Sequence, residues 1–145
     1  MATAETSVPE WFSHNINVRR TDHYVDIDGC KIHYMKWGDD EVPRKKPGLV
    51  LLHGNFAHAH WWTPIAPFWA DQYVVVALSL SAHGQSGWRP QYTYRHWAAE
   101  VAGVAKHAGF SAADGCILVA HSMGVLVATA IEKYCNGANG TSSIV

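Results

Sequence analysis

The fold of this chain is decided by GCILVAHSMGVLVATAI, residues 115–131. The apolar run 116–120 passes through a short turn, 121–124, into a second apolar segment with no proline in between. This pattern predicts a strand, a sharp turn and a helix. A serine at the tip of such a turn, here Ser122, lies beside backbone N–H groups at the start of a helix, where negative charge is stabilised. The stretch therefore predicts a serine nucleophile for acyl transfer.

The turn itself reads Ala120-His-Ser-Met-Gly124 and matches the nucleophile-elbow pattern G-x-S-x-G, with alanine at the first glycine. Glycine is favoured on both sides because strand and helix crowd the Cα atoms two residues from the serine. One extra methyl group can be accommodated there. The alternative is that Ser122 only caps a buried helix, but the flanking strand and helix favour the nucleophile.

Before this stretch, two segments alternate between apolar and polar residues. They are 24–28 and 31–37, and Asp28-Gly29 lies between them. Such alternation predicts a pair of half-exposed strands, and Asp-Gly is a favoured turn between antiparallel strands. Residues 1–20 form a polar leader to which we assign no regular element, held to the domain surface by Trp11 and Phe12.

From Gly48 onward the apolar runs become continuous. Residues 49–52 and 73–78 are short and β-branched, as in strands covered by helices on both faces. Three helices are predicted: 61–71, with Trp62, Ile65, Phe68 and Trp69 on one side; 93–107, with Thr93 as N-cap; and 123–134, with Asn136-Gly137 as stop. We therefore expect an α/β fold, a mostly parallel sheet with helices on both faces. The loops 53–60, 79–91 and 121–124 meet at its carboxyl edge.

Composition excludes several function classes. Lys and Arg total 11 and Asp and Glu 12, so the net charge is −1 and no basic stripe predicts a nucleic-acid partner. No apolar run reaches membrane-spanning length and no signal peptide is recognised, so no membrane association is expected. Three widely spaced cysteines, Cys30, Cys116 and Cys135, are typical of reduced, buried thiols of an intracellular protein. We expect a cytoplasmic protein with a small-molecule substrate.

The loop His53-Gly-Asn-Phe56 directly follows the first parallel strand. A backbone N–H of this loop can turn towards the serine, so we expect the amides of Asn55 and Met123 to stabilise a developing oxyanion. Phe56 is the rival of Asn55 as the donor. The alternative is an ordinary tight turn in which His53 is hydrogen-bonded to neighbouring backbone.

The pair His58-Ala-His60 follows in the same loop. Two histidines without a third ligand are weak evidence for a metal, so we predict no metal and no cofactor. Packing beside aromatic residues is favoured instead. A candidate apolar pocket is formed by Phe56, Trp61, Trp62 and Trp88, although tryptophans at helical spacing are more often core residues.

From Tyr24 onward the chain resembles the amino-terminal half of the α/β-hydrolase superfamily. The resemblance rests on three motifs in the family's order: HGNFAHAHWW at 53–62, LSLSAHGQS at 78–86 and AHSMG at 120–124. It implies a hydrolase that attacks a carboxylic ester or a related acyl or C–C bond through Ser122. Four positions depart from the family pattern: Ser79 replaces aspartate, and Ala82, Ala120 and Val125 replace glycines.

In this family an Asp or Glu and then a His follow the nucleophile in the chain. Here Glu132 is the only acid after Ser122, and no histidine follows it. His53 or His83 would be an unorthodox base. We expect residues 21–145 to be the amino-terminal part of an incomplete hydrolase domain, inactive alone, whose strand 116–120 is an exposed edge for a complementary chain or for self-association. The alternative is a non-catalytic protein of this fold that binds a ligand or partner.

Overall fold

The structure, a computed structural model, describes residues 7–38, 46–110 and 115–135. Its elements in chain order are α1 (Glu10–Asn15), β1 (Thr21–Ile27), β2 (Cys30–Trp37), β3 (Gly48–Leu52), two 3₁₀ helices (Ala59–Trp62 and Ala66–Trp69), β4 (Val74–Leu78), α2 (Tyr94–His107), β5 (Cys116–Ala120) and α3 (Met123–Cys135).

The five described strands form one sheet in the order β1-β2-β4-β3-β5. β3 pairs in parallel with both β4 and β5, whereas β1 and β2 are joined to the rest by antiparallel pairing. Leu52 is in register with Leu78 on one side and with Ala120 on the other. The carboxyl ends of the three parallel strands are therefore level, and the loops that leave them start side by side. The predicted α/β fold class is confirmed.

The amino-terminal hairpin forms as predicted. Asp28 and Gly29 both have positive φ, 50° and 75°, as a two-residue type I′ turn requires. β1 alternates between exposed and partly buried residues, but β2 is almost entirely buried, so the expectation of two half-exposed strands is wrong for β2. The reason is that β2 lies between β1 and β4 and has a hydrophobic core on each face.

These two cores cover opposite faces of the sheet. Alternate strand residues, such as Val50, Leu52, Val76 and Leu78, pack against α2 and α3. The residues between them, such as Leu49, Leu51, Val75 and Ala77, pack against the 3₁₀ helices. Burial of both faces explains why β3 and β4 read as continuous apolar runs.

The two long helices also follow their predictions. Thr93 caps α2 by accepting a hydrogen bond from the His96 N–H at 3.2 Å, and Gly109 follows the helix with a φ of 87°. α3 covers the predicted segment 123–134 and one residue more. Its predicted stop at Asn136-Gly137 lies outside the described residues.

The predicted helix over 61–71 is wrong. Two 3₁₀ helices occupy this region, because Pro64 and Pro67 each lack a backbone N–H and restrict the residue before them. The proposed apolar side is therefore not buried as a unit. Trp62 is in the core, whereas Phe68 is 58% exposed.

The leader, predicted to have no regular element, contains the short helix α1, which starts directly after Pro9. Trp11 packs against Phe68 with ring centroids 5.8 Å apart. The side-chain amide of Asn15 donates to the Pro64 carbonyl at 2.8 Å. The helix forms because these contacts with Pro64 and Phe68 hold it, and they join residues more than 45 positions apart in the sequence.

β5 lies at the edge of the sheet in the described part of the chain, and only Leu118 of its five residues is buried. The three cysteines are free thiols, as predicted, but the expected burial holds only for Cys30, because Cys116 is partly buried and Cys135 is exposed. None of the helices within 7–38, 46–110 and 115–135 is long and apolar enough to cross a membrane.

Candidate functional site

The turn between β5 and α3 has the predicted sharp form. Ser122 adopts a left-handed conformation with φ of 54°, and its side chain is exposed. His121 N–H donates to the Leu52 carbonyl at 3.0 Å, which ties the turn to the end of β3. Gly124 N–H donates to the His121 carbonyl at 3.0 Å, so the chain enters the helix immediately after the serine. A non-glycine residue in this backbone region costs on the order of 1–3 kcal/mol and persists only where surrounding structure enforces it.

The glycine after the serine is required by packing. A Cβ atom on Gly124 would lie 2.9 Å from the His53 carbonyl oxygen and 3.1 Å from the Leu52 Cβ. Ala120, at the first glycine position of the motif, is partly buried at the end of β5 and packs against the core beneath α2 and α3. The structure therefore accommodates alanine at position 120 but leaves no room for a side chain at position 124.

The loop after β3 lies directly against this turn. A Cβ atom on Gly54 would be 2.9 Å from Nδ1 of His121 and 3.0 Å from Cβ of Ser122. The backbone that leads into Asn55 therefore passes beside the serine, and Phe56 follows with a φ of 59°. Met123 starts α3, and the first N–H groups of a helix have no acceptor within the helix. The two predicted oxyanion donors, Asn55 and Met123, thus belong to segments on either side of Ser122.

His53, at the start of this loop, is fully buried and uses both ring nitrogens. Its Nε2 accepts a hydrogen bond from the Leu80 N–H at 3.0 Å, so the ring proton is on Nδ1, which donates to the Gly54 carbonyl at 2.7 Å. Burial lowers the pKa of His53 to about 4. A base needs a free nitrogen within reach of the hydroxyl that it deprotonates. His53 therefore does not fit the role of an unorthodox base for Ser122.

His83 is the other histidine considered as a base. Its Nδ1–H donates to the Ser81 carbonyl at 3.0 Å, and its ring contacts His53 in a tilted arrangement with centroids 4.9 Å apart. His121 instead stacks on Trp61, with ring centroids 5.9 Å apart. In the described ranges, none of these histidines is hydrogen-bonded to Ser122.

The loop after β4 is braced by serines. Ser79 Oγ accepts a hydrogen bond from the Ala59 N–H at 3.1 Å, although this position is an aspartate in the family pattern. Ser86 Oγ donates to the Ser79 carbonyl at 2.6 Å and accepts from the His33 N–H at 2.9 Å. Ala82, the other departure in this loop, has a φ of 68°, a conformation that glycine adopts without strain. The hydroxyl of Ser79 thus retains a bracing role, whereas Ala82 carries a conformational cost.

A buried ion pair behind this loop was not predicted from the sequence. Glu100 of α2 is fully buried, and its carboxylate accepts from Arg89 Nε and from the Ser81 N–H, both at 2.8 Å. Arg89 also donates to the carbonyls of Ile27 and Asp28 in the hairpin turn. The available signal was a single acid on the apolar face of α2, between Trp97 and Val104, but no local motif named its partner.

The four predicted pocket residues do not lie together. Phe56 is 95% exposed and Trp61 57% exposed, and both belong to the loop region beside the turn at Ser122. Trp62, the last residue of the first 3₁₀ helix, is buried in the core on that face of the sheet. Trp88 is exposed, but its loop is attached to β2, where Gly87 N–H donates to the Lys31 carbonyl at 2.7 Å. β2 lies three strands from β5 in the sheet.

The histidines after β3 form a ring contact of their own. His58 and His60 have centroids 5.5 Å apart, and His60 stacks on the buried His33 at 6.1 Å. Burial lowers the pKa of His60. Among the described residues, no group of three or more His, Cys, Asp or Glu side chains is arranged to hold a metal ion.

Comparison with known proteins gives consistent matches. The sequence model of the alpha/beta hydrolase family matches residues 49–145. The chain is 31% identical over 114 residues to the uncharacterized hydrolase YugF of Bacillus subtilis, covering 74% of this chain and 38% of that protein. It is 33% identical over 87 residues to a pimeloyl-acyl-carrier-protein methyl ester esterase of Sodalis glossinidius. That match covers 60% of this chain and 31% of the esterase.

Solved structures share the fold. The thioesterase domain from the curacin biosynthetic pathway superposes with a TM-score of 0.67 at 28% identity, and the match covers 78% of this chain and 41% of that one. The chain spans less than two fifths of the length of the two curated relatives.

Proposed function

Because this chain belongs to the alpha/beta hydrolase family, we propose that it supplies the nucleophile half of a serine hydrolase acting on a carboxylic ester or a related acyl or C–C bond. The relatives that it matches include a hydrolase and a methyl ester esterase. The observation that carries the proposal is the left-handed conformation of Ser122, which is exposed at the tip of the turn between β5 and α3. Its Cβ lies 3.0 Å from the position that a Cβ on Gly54 would take, so the loop after β3 passes beside it.

The proposed reaction starts with attack of Ser122 Oγ on the substrate carbonyl carbon. The carbonyl π electrons move to oxygen, and the N–H groups of Met123 and Asn55 donate to the resulting oxyanion. One such donor is worth about 3–4 kcal/mol of transition-state stabilisation in a serine protease. No metal or cofactor takes part in this step. The exposed rings of Phe56 and Trp61 beside the turn favour a substrate with an apolar acyl group.

A base must remove the serine proton, and a third group must orient that base. No histidine follows Ser122 in these 145 residues, and both nitrogens of His53 are bonded to backbone. We therefore propose that the base and its acidic partner come from outside residues 1–145. β5, an apolar edge strand that is only partly buried, offers a place for the segment or complementary chain that carries them.

A fluorophosphonate probe tests the nucleophile. We expect the product of the complete gene to be labelled on Ser122, as located by peptide mass spectrometry, and Ser122→Ala to reduce labelling by more than about 1000-fold. The matched control is Ser13→Ala, which removes an exposed hydroxyl on α1 and should label like the wild type. The isolated 145-residue chain should react only at the level of Ser122→Ala, because it lacks the base.

The second candidate function is ligand or partner binding without catalysis. The departures from the family pattern at Ser79, Ala82, Ala120 and Val125 favour it. A folded, complete gene product that the probe does not label would contradict the hydrolase and support the binding protein.

A further inference from the structure

The His53 side chain connects two loops at the carboxyl edge of the sheet. It belongs to the loop after β3, and its Nε2 accepts from the backbone N–H of Leu80 in the loop after β4, at 3.0 Å. Its Nδ1–H donates to the carbonyl of the next residue, Gly54, at 2.7 Å. The ring is fully buried, so water does not compete for either bond.

These two bonds require one protonation state. A carbonyl oxygen only accepts and a backbone N–H only donates, so the ring must carry its proton on Nδ1 and a lone pair on Nε2. A second proton on Nε2 would place two donors against each other and break the bond to Leu80. The connection therefore exists only while the imidazole is neutral.

The same segment touches the turn that carries the serine. The His53 carbonyl oxygen lies 2.9 Å from the position of a Gly124 Cβ, and a Gly54 Cβ would lie 3.0 Å from the Cβ of Ser122. His53 and Gly54 therefore contact Leu80 on one side and the turn 121–124 on the other. A change at the ring alters the position of the backbone that leads into Asn55.

We propose that His53 is a positioning residue, whose neutral ring ties Gly54 to Leu80 and thereby holds the Asn55 amide beside Ser122. This rests on the proposed function, in which that amide donates to the oxyanion. His53 does not touch substrate in this arrangement. It acts through the backbone of its own loop.

The groups around His53 oppose its protonation, so the ring stays neutral in mild acid. The tilted ring of His83 lies with its centroid 4.9 Å from that of His53, His58 lies in the same loop, and the His121 ring faces Gly54. Burial lowers the pKa of His53 to about 4, and the charges of His83 and His58 act in the same direction. The Glu100 carboxylate accepts a hydrogen bond from the N–H of Ser81, the residue after Leu80, but it is already paired with Arg89. The connection is therefore expected to persist in mild acid and to break only as the pH approaches 4.

NMR on the 145-residue chain tests this without needing catalysis. With ¹⁵N-labelled histidine, His53 should show only the Nδ1–H tautomer and no titration between pH 7.5 and 5.5. His53→Leu removes both bonds, so exchange of the Leu80 amide with solvent should accelerate by about 10-fold and the Asn55 amide signal should shift. His53→Gln offers an acceptor near the position of Nε2 and should restore most of the Leu80 protection. His14→Leu, at an exposed histidine on α1, is the control and should change neither signal.

The proposal is overturned if His53 shows the Nε2–H tautomer or titrates with an ordinary midpoint near ~6.5. It is also overturned if His53→Leu leaves both the Leu80 exchange and the Asn55 signal unchanged. If His53→Leu does not fold, the wild-type tautomer and the His53→Gln exchange still decide the outcome. Probe labelling of Ser122 is scored separately, so failure of the nucleophile and failure of His53 are distinguished.

Discussion

The loop after β4, residues 79–89, and the turn after β5, residues 121–124, solve a similar backbone problem in opposite ways. Each follows a parallel strand and holds a non-glycine residue in the left-handed region, Ala82 at a φ of 68° and Ser122 at 54°. The first is bonded inward by buried serines and by Glu100, whereas the serine of the second is exposed. The left-handed backbone at Ala82 exposes no reactive group, whereas the left-handed backbone at Ser122 exposes the serine hydroxyl.

The largest expected effect comes from removing the Glu100 carboxylate, which supports the loop after β4. Glu100→Ala leaves Arg89 as a buried, unpaired cation and the Ser81 N–H without its acceptor. Loss of one partner of a buried ion pair typically costs about 3–5 kcal/mol. We expect the free energy of unfolding to fall by that amount in urea denaturation at pH 7, followed by circular dichroism.

The matched control for this change is Glu132→Ala, which removes an exposed carboxylate from α3. It should alter the free energy of unfolding by less than about 0.5 kcal/mol. If both variants lost the same free energy of unfolding, Glu100 would stabilise the protein no more than an exposed carboxylate does. The loop after β4 would then not be held more firmly than the turn at Ser122.

The next effect is a pH dependence from His53, which links the loops after β3 and β4. Burial lowers its pKa to about 4 in the folded chain, against about 6.5 for an ordinary histidine. The unfolded state then binds the proton first as the pH falls. The stability from the neutral ring is complete above pH 6.5 and declines by about 3 kcal/mol as the pH falls to 4.

Urea midpoints measured from pH 7.5 to 5 give this slope, in a range above the titration of ordinary carboxylates. His53→Gln should flatten it, because the group that titrates is gone. His14→Leu should keep it, since that histidine is exposed on α1. A His53→Gln slope as steep as that of the wild type would assign the pH dependence to other histidines.

The smallest effect compares the two strained residues directly. Ala82→Gly and Ser122→Gly each place glycine where the backbone is left-handed, so each should raise the free energy of unfolding by about 1 kcal/mol. Probe labelling of the complete gene product should survive the first change and be lost with the second. Thermal denaturation and probe labelling of the two variants, measured in parallel, show whether the strained backbone is needed for labelling at Ser122 and not at Ala82. A destabilised Ala82→Gly would show that the methyl group contributes more by packing than its conformation costs.

Local signals in the sequence accounted for most of the elements. The Asp28-Gly29 turn, the Thr93 cap and the apolar run 116–120 each depend on residues within one turn or strand, and each was predicted correctly. The helix over 61–71 failed because its aromatic spacing was weighed above its prolines. The helix α1 was missed because its stability comes from Phe68 and Pro64, which lie far along the chain.

The sequence by itself determined the α/β class, the turn at Ser122 and the order of the three loop motifs, because each is encoded in residue types a few positions apart. Only the tertiary structure decided which loops touch. The sheet order places β3 between β4 and β5, so that His53 bonds to Leu80 on one side while Gly54 lies against Ser122 on the other. Such contacts arise from the pairing of strands that are distant in the sequence, which local propensity does not encode.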